Sequence, residues 1–214
     1  KYEEIERRVL REARYCICVS DAMRVHYRNK YPFIQPNWIT IPIIEAYPDA
    51  PLSAHSRQRE SEFPTVIYSG GAQAWQNIDA MLRLLERCGQ WATFRFLSHE
   101  FEVLQRRAKA LGLESSACFS YCHKMDLPAA YSAGDFGMVL RDDTPVNRVS
   151  CPTKLIEYIQ FGLVPIVRSP ALGDFLELGY AYVTEEEFVS GFFPDAASRE
   201  WMVARNREVL WELS

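Results

Sequence analysis

The sequence predicts an α/β protein whose core is a doubly wound parallel sheet, and three observations carry that expectation. From Phe63 onward, short apolar runs alternate with amphipathic stretches, the pattern of strand and helix repeats that place helices on both faces of a sheet. Runs such as FGMVL and LVPIV have no polar side, as expected of strands covered on both faces. Length and composition agree. A chain of 214 residues, 48% apolar and 24% charged, is globular and long enough for a sizeable core.

Taken in order, Glu3–Ala13 is charged and helical in pattern, and Tyr15–Ser20 (YCICVS) reads as a short buried strand. A helix opens at Asp21 behind Ser20 and must stop at Pro32. After Pro36–Ile44 (PNWITIPII) the texture changes. Residues 45–62 hold Pro48, Pro51, Ser53, Ser56 and Ser61 without periodicity and read as a linker. Thr65–Ser69 is then a strand, and Asn77–Cys88 a helix with Ile78, Met81, Leu82 and Leu85 on one face. Thr93–Leu97 is a strand, Glu100–Leu111 a helix stopped by Gly112, and Ala117–Tyr121 a strand. Leu127–Ser132 is a short helix, Phe136–Leu140 a strand, Thr153–Gln160 a helix and Leu163–Val167 a strand. A charged, Trp-rich helix over Ala197–Leu213 closes the chain, with Trp201, Ala204 and Trp211 expected to pack back on the body.

The net charge is −4, and Lys and Arg are interspersed with Asp and Glu. A nucleic-acid groove would leave a basic stripe, so that partner is not expected. No apolar run reaches the roughly 18–20 residues that span a bilayer, and no signal-peptide pattern opens the chain. The visible chain reads as soluble. It begins on Lys1 inside a helical pattern, so we expect a piece of something longer whose missing part would make any membrane contact. Cys16, Cys18, Cys88, Cys118, Cys122 and Cys151 show no zinc spacing with one another or with His26, His55, His99 and His123. Reduced thiols, a cytoplasmic location and no metal are the expectation.

In an open parallel sheet, ligands bind at the carboxyl ends of the strands, and two loops there are unusual. SGGAQAWQN (Ser69–Asn77) follows the first strand, and its paired glycines, Gly70 and Gly71, allow close backbone approach. RDDTPVNRVSCP (Arg141–Pro152) is a long polar loop that delivers the chain to a helix, with Ser150 or Cys151 near the N-cap and Pro152 in the first turn. A helix start of this kind favours an anion. At 100° per residue Ser150, Thr153, Lys154 and Glu157 fall on one side of it, and Leu155, Ile156 and Ile159 on the other. A phosphate at the turn would leave Glu157 one turn deeper, its carboxylate free to accept hydrogen bonds from a vicinal diol such as a ribose. Plainer readings stand beside each point: a tight turn at the glycines, a solvated Lys154–Glu157 pair, a surface charge at Arg141. Asp142 and Asp143 form an acidic pair with no further ligands nearby, and the sequence holds no nucleophile elbow, Walker loop or G-x-G-x-x-G fingerprint.

These segments resemble the donor-binding half of GT-B glycosyltransferases, in particular the retaining family 4, often called group 1. The resemblance rests on VIYSGG, on MDLPAAYSAGDFGMVL (Met125–Leu140) and above all on SCPTKLIEYIQFGLVPIV, with CICVSDAM and PNWITIP resembling the end of the family's first domain. It implies a Rossmann-like C-terminal half organised as the tail of an acceptor domain (1–44), a linker (45–62), a nucleotide-sugar-binding domain (63–195) and a C-terminal helix packing back (196–214). It further implies retaining transfer from a UDP- or GDP-linked sugar, without a metal or cofactor, to a saccharide or lipid-linked acceptor in surface polysaccharide assembly. Glu157 matches the glutamate that holds the ribose. Ser150, Thr153 and Lys154 match the part lying against the diphosphate, and Gly70 and Gly71 the glycine loop. Tyr121, Lys124 and Met125 lie where the base is read. The sequence departs from the family in two places. Val149 stands where many members carry a second glutamate, and GAQAWQN replaces the usual basic pair, so phosphate charge falls to Lys154 and Arg141, with Asn147 and Arg148 as further contacts. With most of the first domain absent, the piece is not expected to turn over alone. A sugar-nucleotide 2-epimerase of the same architecture and a non-catalytic assembly module are the alternatives.

Overall fold

The computed structural model describes residues 1–45 and 63–213. The expected linker, apart from Glu45, lies outside the described residues.

The amino-terminal part holds helix α1 (Tyr2–Glu12), strand β1 (Tyr15–Cys18), helix α2 (Asp21–Lys30) and strand β2 (Asn37–Thr40). β1 and β2 pair in parallel, Tyr15 opposite Asn37 and Cys18 opposite Thr40. The Ser20 hydroxyl caps α2 by accepting from the Met23 amide at 3.0 Å. The expectation of a buried strand at YCICVS holds on one face only. Ile17 is 65% exposed, and Tyr15 and Ile39 are exposed with it, because α2 covers the other face and nothing among the described residues covers this one.

The main body is a six-stranded, all-parallel sheet in the order β5-β4-β3-β6-β7-β8. Its strands are β3 (Thr65–Ser69), β4 (Thr93–Leu97), β5 (Ala117–Ser120), β6 (Phe136–Val139), β7 (Val164–Val167) and β8 (Val183–Thr184). The first three progress outward from β3 and the next three outward in the opposite direction. The order therefore reverses between β3 and β6, the place where such sheets bind ligands.

Period-two alternation sorts the strand residues into two cores. Val66, Tyr68, Phe94, Phe96, Phe136, Met138, Val164 and Ile166 face one side, packed with helices α3 (Ile78–Cys88) and α4 (Phe101–Ala110) and with Phe188 of the short helix α8 (Glu185–Val189). Ile67, Val139 and Val167 face the other, packed with α5 (Leu127–Ser132) and α7 (Thr153–Gln160). One turn of helix, α6 (Pro145–Arg148), interrupts the loop between β6 and α7.

Helix α9 (Ala196–Leu213) joins both cores, with Met202 and Val203 in one and Val209 in the other. Its Asn206 is buried and forms a two-bond bridge to Ala181, accepting from the amide at 2.7 Å and donating to the carbonyl at 2.9 Å. The expected packing residues differ. Trp201 is 64% and Trp211 82% exposed, and Ala204 is exposed too, because the seam repeats at 202, 203, 206 and 209, leaving those three on the outer side. No helix among the described residues is long and apolar enough to cross a membrane.

Candidate functional site

The carboxyl ends of β3 and β6 bring the two unusual loops together. Gly70 leaves β3 at φ +155°, a backbone rarely adopted by L side chains, and a Cβ there would come within 2.7 Å of the Tyr68 hydroxyl. That hydroxyl donates to the Gly71 carbonyl at 2.6 Å. A Cβ on Gly71 would press on the Glu100 carboxylate at 2.7 Å. This same carboxylate accepts from the Ala72 amide at 2.7 Å. The loop is therefore held close to its own strand and to the end of β4.

From β6 the chain passes Leu140 to Arg141. The Arg141 Nε is buried with no hydrogen-bond partner, and no described carboxylate pairs with the guanidinium. Burial pushes its pKa down, while the tyrosines Tyr68 and Tyr158 beside it act in the opposite sense.

The rest of the loop is committed to its own shape. Thr144 caps α6, accepting from the Asn147 amide. Asn147 is buried, and its side-chain amide donates to the Asp142 carbonyl at 2.8 Å. The Ser150 hydroxyl donates to the Asn147 carbonyl at 2.9 Å, and Arg148 forms a forked pair with Asp143 at 2.6 and 2.7 Å. Asn147 and Ser150, expected as direct ligand contacts, and Arg148 with them, thus each give at least one polar group to holding the loop. The expected capping differs as well. Pro152 is itself the N-cap residue of α7, and no side chain caps that helix.

Along α7, Thr153 is exposed in the first turn and Lys154 half-buried. Glu157 is only 6% exposed. Its carboxylate is not free, as the sequence suggested. Lys154 Nζ reaches Oε1 at 3.0 Å and Oε2 at 2.8 Å, and the Tyr131 hydroxyl donates to Oε2 at 2.6 Å. Tyr131, from α5, also meets the Ser69 hydroxyl at 2.6 Å, and the Ser69 amide donates to the Tyr158 hydroxyl at 2.9 Å. Sequence reasoning missed Ser69, Tyr131 and Tyr158. The only signal was the presence of three polar groups inside apolar runs.

Tyr121, Lys124 and Met125 lie at the end of β5, two strands from the glycine loop, and all three are exposed. Lys124 pairs with Glu45 at 2.8 Å and feels the charge of Glu157. An open groove of about 330 Å³ runs beside them, lined by Arg95, Leu97, Ser120, Tyr121, Cys122 and Asp126 among others. No group of three or more His, Cys, Asp or Glu side chains among the described residues is gathered as for a metal ion.

No protein-family model matches the chain, and no curated protein matches it in sequence. Solved structures do match. TarM from S. aureus, solved with UDP and saccharide ligands, superimposes with a TM-score of 0.72 at 12% identity over 99% of this chain and 44% of its own. A glycosyltransferase from Rickettsia africae gives 0.71 at 10% identity, over 100% and 62%. The fold is that of one half of a GT-B glycosyltransferase. The pneumococcal O-GlcNAc transferase GtfA, solved with UDP and GlcNAc, gives 0.63 at 16% identity, over 94% and 42%. This GT-B half thus spans less than half the length of two of these neighbours and under two thirds of the third.

Proposed function

We propose that the chain is the donor-binding half of a retaining glycosyltransferase of the family 4 type, which binds a UDP- or GDP-linked sugar at the β3/β6 switch point. One observation carries the reading: Arg141, half-buried with an Nε that has no hydrogen-bond partner and with no carboxylate opposite it among the described residues, beside the glycine loop and the uncapped start of α7. A partly buried cation with no carboxylate partner among the described residues suits an anionic ligand. The three sources of positive potential, Arg141, Lys154 and the α7 N-terminus, supply charge for a diphosphate leaving group without a metal ion. Lys154 moves from Glu157 to the diphosphate, and Glu157 then accepts from the ribose hydroxyls. Tyr121, Lys124 and Met125, beside the β5 groove, read the base. Residues 1–44 are the end of an acceptor domain, 63–195 the donor domain and 196–214 the helix that closes it. In the intact protein this half faces the remainder of the acceptor domain, which receives a saccharide or lipid-linked acceptor of surface polysaccharide assembly, in the cytoplasm or at its membrane. The half alone binds but does not transfer.

Titration calorimetry of the chain with UDP and GDP tests this. One of them binds, binding is unchanged by a chelator, and Glu157→Gln weakens it by about 1–3 kcal/mol. Glutamine keeps an acceptor for Tyr131 while losing the charge. Absence of binding by either nucleotide at millimolar concentration overturns the reading.

A further inference from the structure

The hydrogen-bond chain behind Glu157 has a direction fixed by chemistry. An ionised carboxylate only accepts, so Tyr131 gives its proton to Glu157 Oε2 across 2.6 Å. The 2.6 Å contact between Tyr131 and Ser69 must then be a bond from the Ser69 hydroxyl to the Tyr131 oxygen. The serine proton being spent, the 3.3 Å contact between Ser69 and Tyr158 runs from the tyrosine to the serine, while the Ser69 amide donates back to the Tyr158 oxygen at 2.9 Å. One ordered series of donors, Tyr158 to Ser69 to Tyr131, ends on a single oxygen of Glu157. It links three elements, β3, α5 and α7, and starts beside Gly70.

We propose that Tyr131 is the positioning residue of this site, fixing Glu157 through Oε2 so that Oε1, held among the described residues by Lys154 alone at 3.0 Å, is the oxygen presented to the ligand. The inference rests on the reading of Glu157 as the acceptor for a ribose diol. Tyr131 is fully buried, and its ring is held edge-on to Tyr158 with centroids 5.5 Å apart, so its hydroxyl has one direction in which to point. Burial, with Tyr158 and Glu157 adding to it, raises the phenol pKa well above its ordinary value. The hydroxyl stays a donor through the working pH range. Were Tyr131 absent, the carboxylate would follow Lys154 into the diphosphate site rather than remain aimed at the sugar.

Discrimination between a ribonucleotide and its 2′-deoxy counterpart reads the aim of Glu157 directly. The chain and its Tyr131→Phe variant are titrated with UDP, GDP, 2′-deoxy-UDP and 2′-deoxy-GDP, and each thermal midpoint is recorded. The unsubstituted chain prefers the ribonucleotide by about tenfold. Tyr131→Phe lowers that preference to about twofold or less while the deoxynucleotide affinity stays nearly constant. A Tyr131→Phe chain that is folded, with a lower midpoint but the full preference, overturns the positioning role and leaves the nucleotide site standing. Failure of the unsubstituted chain to bind any of the four overturns the site itself, and with it this inference. Ser69→Ala, which removes the donor behind Tyr131 with little change in volume, must reduce the preference in the same direction. It decides the question should Tyr131→Phe not fold.

Discussion

At the scale of single residues, the proposed function sets Arg141 against stability. Desolvating a guanidinium with no carboxylate opposite among the described residues is unfavourable, and burial pushes the Arg141 pKa down. Replacing it by methionine, similar in reach and apolar, removes that cost. Arg141→Met is therefore expected to leave the thermal midpoint unchanged or raise it by about 1–4 °C, while the affinity for UDP or GDP falls about tenfold or more. Fluorimetry and calorimetry on the same preparation check the two signs. A midpoint that drops sharply would mean that Arg141 is held for packing. Among the residues named from the sequence, Arg141, Lys154, Glu157 and the two glycines are brought together around the switch point. Lys154 and Glu157 were legible because spacing on one helix fixes the side they share, and the glycines because they are paired in a loop; Arg141, which the residues alone leave as a surface charge, entered with the family resemblance. Ser69, Tyr131 and Tyr158 were not legible, since their contact spans 62 and 89 residues of sequence and no local rule connects β3, α5 and α7.

At the scale of elements, the packing of α7 on β6 depends on a missing side chain. Gly137 lies in the middle of β6, where a Cβ would stand 2.3 Å from the Tyr158 ring. The bare strand surface leaves room for that ring, whose hydroxyl reaches Ser69. Gly137→Ala forces the ring or the strand to move, at a cost of about 1–3 kcal/mol in unfolding free energy. Because Tyr158 carries the start of the donor series, nucleotide binding should weaken in the same variant. Urea denaturation and calorimetry measure the two effects, and an unchanged unfolding midpoint would contradict this account of the packing. Strands β3 to β7 and the helices between them follow the sequence pattern closely, since each is an apolar run or a 3–4 repeat. β8 has two residues, too short for any periodicity, and owes its place to pairing with β7. The single turn of α6 did carry a local signal, Thr144 followed by Pro145, a capping residue ahead of a first-turn proline. It is overshadowed by the polar loop around it.

At the scale of the whole molecule, the amino-terminal part is fastened to the loop that shapes the site. Asp174 accepts from the Asp21 amide at 2.8 Å and the Ala22 amide at 2.7 Å, so a carboxylate from the main body sits on the positive end of α2. Beside it the Ser20 hydroxyl donates to the Val149 carbonyl at 2.6 Å, and the Gly173 amide donates to the Asn147 carbonyl at 3.2 Å. The same few residues thus hold α2 on one side and the Arg141–Pro152 loop on the other. Val149, conspicuous in the sequence for the glutamate it lacks, serves this fastening through its backbone. The exposed apolar face of β1 and β2 makes the fastening matter more, since burial on that side adds nothing among the described residues. Removing the carboxylate should therefore loosen the amino-terminal part without unfolding the body. Asp174→Ala loses two charge-assisted bonds at a helix start, about 1–2 kcal/mol of local stability. Amide exchange at Asp21 and Ala22 and through α2 should quicken about tenfold, while the strands β3, β6 and β7 keep their protection. Equal quickening across the sheet would show the two parts to unfold as one unit, and unchanged exchange in α2 would show that Ser20 and the strand pairing suffice to hold it.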